Sequence, residues 1–222
     1  MKPYVAVAKR TYSKIAEEYD ANGRYYSDFY AEVLLPFERL LKRHFKDPEV
    51  LDIGCGPAME LSIMEKHGFH SLNGMDISPE MLKMAKGNVP DGSFYERDIL
   101  AGGLKKRFDA VFMLSFIHLF KREDVEVVLR NVKKMLKPGG YFMLTAFNRK
   151  RPRGSRFLKK TGYGIKNLKR YVSGRTSEEL RVALGDSGFR PVKRYSVKYS
   201  PPQSWRKGKG FVWVALISKV VD

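Results

Sequence analysis

The chain has 222 residues, 43% of them hydrophobic and 30% charged, with a formal net charge of +18. That length suits one full-sized domain and that apolar share can bury a core, which excludes disordered and fibrous-repeat readings. A single cysteine, Cys55, excludes an intramolecular disulfide framework and a multi-cysteine zinc site. The longest nearly apolar runs, 110–120 and 211–221, fall short of the roughly 20 residues of a membrane span. Met1-Lys2-Pro3 opens on charge with no apolar run behind it, so a cytoplasmic protein without integral membrane association is expected.

The charge is unevenly placed. Residues 1–148 carry a net +2 and residues 149–222 a net +16, with eleven basic residues and no acid from Arg149 to Arg175. Thermophile-style enrichment raises Glu together with Lys, and here it does not. The basic third therefore points to an anionic partner or acceptor near this end.

In chain order, residues 11–43 are predicted helical, with Ile15, Tyr19, Phe29, Val33, Leu34, Phe37, Leu40 and Leu41 forming an apolar stripe. Val50 to Ile53 reads as a short buried strand before a glycine turn, and a helix follows to about His67. A second strand covers Leu72 to Met75, then Ser78 as N-cap and Pro79 at the first helical position announce a helix. Phe94 to Arg97 and Phe108 to Met113 are the next strands. From about Arg122 to Leu136, Val125, Val128, Leu129, Val132, Met135 and Leu136 mark an amphipathic helix, stopped by Pro138-Gly139-Gly140. Tyr141 to Ala146 is the fifth strand. Thr176 to Glu179 forms a capping box for a helix ending at Gly188. Pro191 to Tyr199 and Phe211 to Ser218 close the chain as two strands joined without a helix.

Strands alternating with helices predict an α/β domain with a parallel sheet, and the last two strands form an antiparallel pair at one edge. One domain is expected over 1–222. It divides into an N-terminal helical cap (1–47), a ligand-binding core (48–148), a basic insert or lid (149–175), and a C-terminal helix with edge hairpin (176–222).

The first strand runs into Asp52-Ile53-Gly54-Cys55-Gly56-Pro57-Ala58. Glycines at a strand-to-helix turn let the backbone approach a ligand closely and expose the helix N-terminus to it. Twenty residues past Gly56, Asp76 ends the second strand, where a carboxylate can accept from both hydroxyls of a ribose. These features describe a nucleoside site at the sheet's C-terminal edge. A dinucleotide fingerprint wants Gly or Ala at the position of Met59 and no acid two residues before the first glycine, which disfavours a nicotinamide-dependent reductase.

The Asp52 to Ala58 pattern resembles motif I of the class I S-adenosylmethionine-dependent methyltransferases, with Ala58 in place of the last glycine. Gly74 to Ser78, Glu96 to Ile99, Phe108 to Phe112 and Leu136 to Gly140 resemble the family's later motifs. The likeness covers about residues 11–218. In detail it is similar to the small single-domain branch that includes quinone-biosynthesis methyltransferases. The resemblance implies a Rossmann-like, seven-stranded, mostly parallel sheet with one antiparallel edge strand and helices on both faces. It implies S-adenosylmethionine as cofactor and S-adenosylhomocysteine as product. Asp52 would lie near the methionine ammonium, and Gly54 and Gly56 would line the methionine and ribose. Asp76 would hold the ribose, Ile77 and Met81 would flank the adenine, and Asp98 and Ile99 would close over it. Leu114 and Ser115 would face the methionine end, and Tyr19 would cover the cofactor.

Methyl transfer from a sulfonium is an in-line displacement, so the protein's main task is alignment, and a base helps only when the acceptor must lose a proton. His118, just past the fourth strand, is the candidate base; a packed histidine is the competing reading. His44, His67 and His70 cluster with no acids at ligand spacing, so no metal is expected. Met113 to Phe116 lacks the motif of DNA amino-methylation, and Cys55 is committed to the glycine turn. Arg151, Arg153, Lys160 and Trp205, in the basic connections after the fifth strand and between the last two, are the candidate acceptor contacts. The expected acceptor is a small molecule, which the basic third suits if it is anionic. The residues leave open a methyltransferase of tRNA or rRNA working through that third, and a protein that binds S-adenosylmethionine without catalysis. The oligomeric state is not legible.

Overall fold

The structure, a computed structural model, describes residues 1–23, 27–147, 156–159, 169–173, 175–199 and 211–221. Three helices open the chain: α1 (Pro3–Lys14), α2 (Ala16–Gly23) and α3 (Ser27–His44). The alternating core follows as β1 (Val50–Ile53), α4 (Met59–Lys66), β2 (Leu72–Asp76), α5 (Pro79–Asn88), β3 (Ser93–Glu96), β4 (Phe108–Met113), α6 (Val125–Lys134) and β5 (Leu136–Phe147). A short pair, β6 (Arg156–Lys159) and β7 (Lys169–Val172), precedes α7 (Ser177–Asp186), β8 (Phe189–Tyr199) and β9 (Phe211–Val220).

Seven strands form one sheet in the order β3-β2-β1-β4-β5-β9-β8. The first five run parallel, and β9 runs antiparallel to both β5 and β8. The sheet is thus the seven-stranded, mostly parallel one the resemblance implies. Its one reversed strand belongs to the terminal hairpin, with β8 outermost. Period-two alternation splits the core. Leu51, Ile53, Val111, Phe142 and Leu216 face α1, α6 and α7, while Val50, Ala110, Phe112, Met143 and Ile217 face α3, α4 and α5. Edge strand β8 carries Arg190, Lys193, Arg194 and Lys198 with a register shift at Pro191, which blunts it against pairing with another chain.

Three elements depart from the sequence reading. The first helix begins at Pro3, not at residue 11, and proline sits at its first position, as its fixed φ favours. The expected single helix over 11–43 is divided at Ile15, where α1 gives way to α2. Strand β5 begins at Leu136, opposite Phe108, and absorbs Pro138-Gly139-Gly140 through a register shift before pairing resumes at Ala110 and Tyr141. The basic insert contains a two-stranded sheet, β6 with β7, where a loop or lid was expected.

The N-terminal helix is tied down far from its own sequence neighbourhood. Asp124, 2% exposed at the start of α6, accepts from Tyr4 Oη at 2.6 Å and from Lys2 Nζ. The Tyr4 ring meets Tyr171 of β7 at 5.2 Å between centroids. Ser173 N–H donates to the His118 carbonyl at 2.8 Å, and the buried Arg175 guanidinium reaches the carbonyls of Ile117 and Phe120, both at 3.5 Å. Helix α1, β7 and the turn after β4 therefore form one bound unit. Asp124→Ala leaves the Tyr4 hydroxyl without its partner and should cost about 1–3 kcal/mol, a fall in Tm of roughly 2–10 °C for a chain of this size. Amide exchange across 3–14 should accelerate more than in β1 or β4; unchanged protection of α1 would contradict the clamp.

Candidate active site

Strand β1 ends in a turn whose alternate residues are left-handed: Gly54 at φ 75°, Gly56 at φ 50° and Ala58 at φ 61°. Gly54 has no room for a side chain, since a Cβ there would stand 2.3 Å from the Phe116 ring. Ala58 holds a conformation that costs an L-residue about 1–2 kcal/mol, offset in part by its fully buried methyl. The turn is stitched to β2. Gly54 and Cys55 N–H groups donate to the Met75 carbonyl at 2.7 and 3.2 Å, and Gly56 N–H donates to the Asp76 carboxylate at 3.0 Å. The other Asp76 oxygen accepts from Ser78 N–H at 2.9 Å, and Ser78 Oγ caps α5 by accepting from Met81 N–H at 3.2 Å.

These turns floor a cleft with two joined lobes at the C-terminal ends of β1, β2 and β4. The larger encloses about 750 Å³ counted to its open mouth; Gly54, Gly56, Met59, Glu60, Asp76, Ile77, Met81, Leu114, Ser115 and Phe116 line it, under Tyr12, Tyr19 and Tyr30. The smaller, about 410 Å³, lies between Ile77, Asp98, Ile99, Phe116 and Phe120 and the α1 residues Tyr4, Val5 and Ala8. Gly54, Asp76, Ile77 and Phe116 belong to both walls. Ser115, at φ 52°, turns the chain beneath the larger lobe, and its N–H donates to buried Thr145 Oγ1 at 3.0 Å. Strain of this kind at a cleft wall persists only where the surroundings hold it.

Most of the expected site residues meet here. Tyr19, Gly56, Met81, Leu114 and Ser115 line the larger lobe, Asp98 and Ile99 the smaller, and Gly54, Asp76 and Ile77 both. Asp52 is 2% exposed and lies behind the turn instead of in the cleft wall. His118 differs from the expectation. It sits in a 3₁₀ turn (Ile117–Leu119), 6% exposed and outside the lining of both lobes, while Phe116 and Leu119 line them. A 3₁₀ helix aligns residues three apart, so the turn presents 116 and 119 together and carries 118 elsewhere. Arg151, Arg153, Lys160 and Trp205 lie outside the described residues. Among the described residues no group of His, Cys, Asp or Glu could hold a metal. No helix among them is long and apolar enough to cross a membrane.

Sequence reasoning missed Tyr4, Tyr12 and Tyr30, which reach the cleft only because the N-terminal helices fold over it, and it missed Phe116 and Glu60. Glu60 had a signal, being an acid in the first turn of the helix that follows the glycine loop.

The larger lobe is lined by carboxyls, while Arg97 borders the smaller one beside Asp98. Burial pushes the Glu60 carboxyl up to about 7. Burial also lifts Asp52 well above the ordinary carboxylate range, and the charges of Glu60 and Asp76 add to it. Asp76 is raised by burial, against the lowering effect of the Ser78, Gly56 and Ile77 N–H groups. Among the described residues, no Lys, Arg or His lines the larger lobe. Burial likewise raises the Cys55 thiol, which keeps it from acting as a nucleophile. Three carboxyls drawn together, with Lys9 acting on Asp76 and no cation in the larger lobe's described lining, make a concave site that favours a positively charged ligand.

A testable consequence concerns Glu60 alone. Its folded value of about 7 stands above the ordinary 4.5, so its contribution to stability is complete below about pH 4.5 and is lost as pH rises through 7. Glu60→Gln should therefore stabilise the ligand-free protein by about 1–2 kcal/mol near pH 8, after allowance for partial exposure, and hardly at all near pH 4.5. Thermal unfolding of parent and variant across pH reads this directly; parallel Tm curves would contradict it.

A methyltransferase-domain family model matches residues 24–194. An uncharacterized protein of Methanocaldococcus jannaschii is 31% identical over 142 residues, 63% of this chain and 51% of that protein. A ubiquinone biosynthesis O-methyltransferase of Brucella anthropi is 27% identical over 178 residues, 75% of this chain and 70% of the other. The chain spans about half the length of several curated relatives it matches. Among solved structures, Burkholderia thailandensis 1,6-didemethyltoxoflavin N1-methyltransferase, bearing 1,6-didemethyltoxoflavin and S-adenosylhomocysteine, aligns with a TM-score of 0.68 at 20% identity, over 99% of this chain and 89% of that one. That likeness is one of fold.

Proposed function

The chain belongs to the methyltransferase-domain family, and from that premise we propose that it transfers the methyl group of S-adenosylmethionine to a small-molecule acceptor. The observation that carries the proposal is the charge of the cleft. Glu60 and Asp76 line the larger lobe with Asp52 behind them, and a ligand bearing both a sulfonium and an ammonium supplies the cation they lack.

In this reading Asp76 holds the ribose. Its oxygens already accept from Gly56 and Ser78 N–H groups, and a carboxylate has further lone pairs for two hydroxyls. Ile77, Ile99 and Phe116 sandwich the adenine in the smaller lobe, and the Asp98 carboxylate, which accepts from Leu100 N–H at 2.9 Å, borders that lobe close to the base. Gly54 and Gly56 give the cofactor close access to the backbone. Tyr19, whose ring stands edge-on to Tyr12 at 5.8 Å, covers the larger lobe with Leu114 and Ser115 around the methionine end, and Met81, expected beside the adenine, lines this lobe and not the smaller one. When bound, the cofactor supplies an activated methyl on a good leaving group; these residues align it and exclude water. His118 is given no part in proton transfer.

Calorimetry with S-adenosylhomocysteine tests the reading without needing an acceptor. The parent should bind it and should not bind NADH. Each charge-assisted hydrogen bond to Asp76 is worth about 1.5–3 kcal/mol, so Asp76→Asn should weaken S-adenosylhomocysteine by about tenfold to a hundredfold in a folded protein. Undiminished affinity would remove Asp76 from the site.

A further inference from the structure

We propose that Asn88 is a positioning residue for cofactor retention, holding the Tyr19 cover over the glycine turn. This rests on the methyl-transfer reading above and adds to it a residue outside the lining of both lobes. Asn88 ends α5, and its side-chain amide donates to the Asp20 carboxylate at 2.7 Å and to the Pro57 carbonyl at 2.9 Å. The same nitrogen stands 4.0 Å from the sulfur of Met59, a residue of the larger lobe's wall. Asp20 directly follows Tyr19 on α2, and Pro57 directly follows Gly56 in the turn. On the cleft side the same two segments meet again, since a Cβ on Gly56 would stand 3.8 Å from Tyr19 Cε1. One amide thus closes a ring of contacts between cover and floor, one residue removed from each.

Helix α2 needs such a tie. It spans Ala16–Gly23, and of its described side chains Ala16 alone is buried, while Glu17, Glu18 and Ala21 are exposed. So short a helix has little stability of its own, and one buried methyl supplies little apolar anchorage. It packs against α1, where the Tyr19 ring stands edge-on to Tyr12, and against α5, where Asn88 holds Asp20. The chemistry of the joint selects a carboxamide. The Asp20 carboxylate and the Pro57 carbonyl are both acceptors, so the group between them must offer two N–H donors from one atom. A carboxylate offers none, and the charge on Asp20 makes its bond the stronger of the two. In the methyl-transfer reading Tyr19 covers the bound cofactor, so loosening α2 opens its exit while Asp76 and the glycine turn still receive it. Asn88 therefore sets how long the cofactor stays more than how fast it enters.

The test measures association and dissociation of S-adenosylhomocysteine by surface plasmon resonance on the full chain, with Tm recorded for each variant. Asn88→Ala should speed dissociation at least about fivefold while association changes less than about twofold. In a chain already carrying Tyr19→Ala, the same change should add less than about twofold, because the residue acts through that ring. Asn88→Asp should speed dissociation at least about tenfold, and adding Asp20→Asn should recover at least about threefold of it, since donor and acceptor are then exchanged. A role confined to folding would lower Tm, show no such rescue and add in full to Tyr19→Ala. Unchanged dissociation in Asn88→Ala, additivity with Tyr19→Ala, or no recovery on adding Asp20→Asn would overturn the positioning role. Should Asn88→Ala not fold, Asp20→Ala removes the same bond from the other side, with the same results expected and the same results overturning. Failure of S-adenosylhomocysteine to bind the parent would overturn the methyl-transfer reading instead, and this proposal with it.

Discussion

The cost of burying carboxyl groups without a counter-cation shapes this molecule's cleft. Asp52 and Asp76 sit on adjacent parallel strands and Glu60 in the first turn of the helix between them, and burial raises all three. A fold optimised for stability alone would place apolar groups there, since an unpaired buried charge is among the costliest features a protein can carry. Keeping them makes sense where a ligand brings the compensating charge. The remaining features of the site support that arrangement: a turn with alternate left-handed residues that clears space, a strained Ser115, and aromatic rings that shut water out.

The second theme is how the cover is held. Helices α1 to α3 contribute Tyr4, Ala8, Tyr12, Tyr19 and Tyr30 to the cleft from outside the sheet. The placement of α1 depends on Asp124, which accepts from Lys2 and Tyr4 across more than a hundred residues of sequence, and on the packing of Tyr171 against Tyr4. The basic insert thus enters the structure as a short sheet that props the N-terminal helix, with Arg175 and Ser173 bracing the turn that carries Phe116 and Leu119. Cover and wall are one mechanical unit, so a disturbance of either should be felt at the cleft.

What could be read from the sequence follows from how local each signal is. The Asp52 to Ala58 turn, Asp76 at its twenty-residue offset and the Ser78 and Thr176 caps are set by neighbours within a few residues, and the structure places them as expected. Ala58 departs from the glycine of the motif it resembles yet keeps the left-handed conformation, with its methyl fully buried. His118 had the right position along the chain and the wrong rotation, which only the 3₁₀ geometry reveals. Strand β5 hid behind Pro138-Gly139-Gly140, since a proline normally ends pairing and here it falls at a register shift. Tyr12 and Tyr30 fall outside the apolar stripe read over 11–43, and nothing nearby in sequence says that the helices fold over the sheet's edge.

The most direct test of the central claim uses a pair of ligands that differ by one positive charge. S-adenosylmethionine and S-adenosylhomocysteine share every group except the methylated sulfonium, so their difference in affinity reports the sign and strength of the field at the sulfur. The account predicts that S-adenosylmethionine binds the tighter of the two and that its advantage widens as pH rises through about 7, where Glu60 ionises. Equal affinities across that range, or an advantage that shrinks with rising pH, would contradict the claim that the buried carboxylates of this cleft are held for a cation.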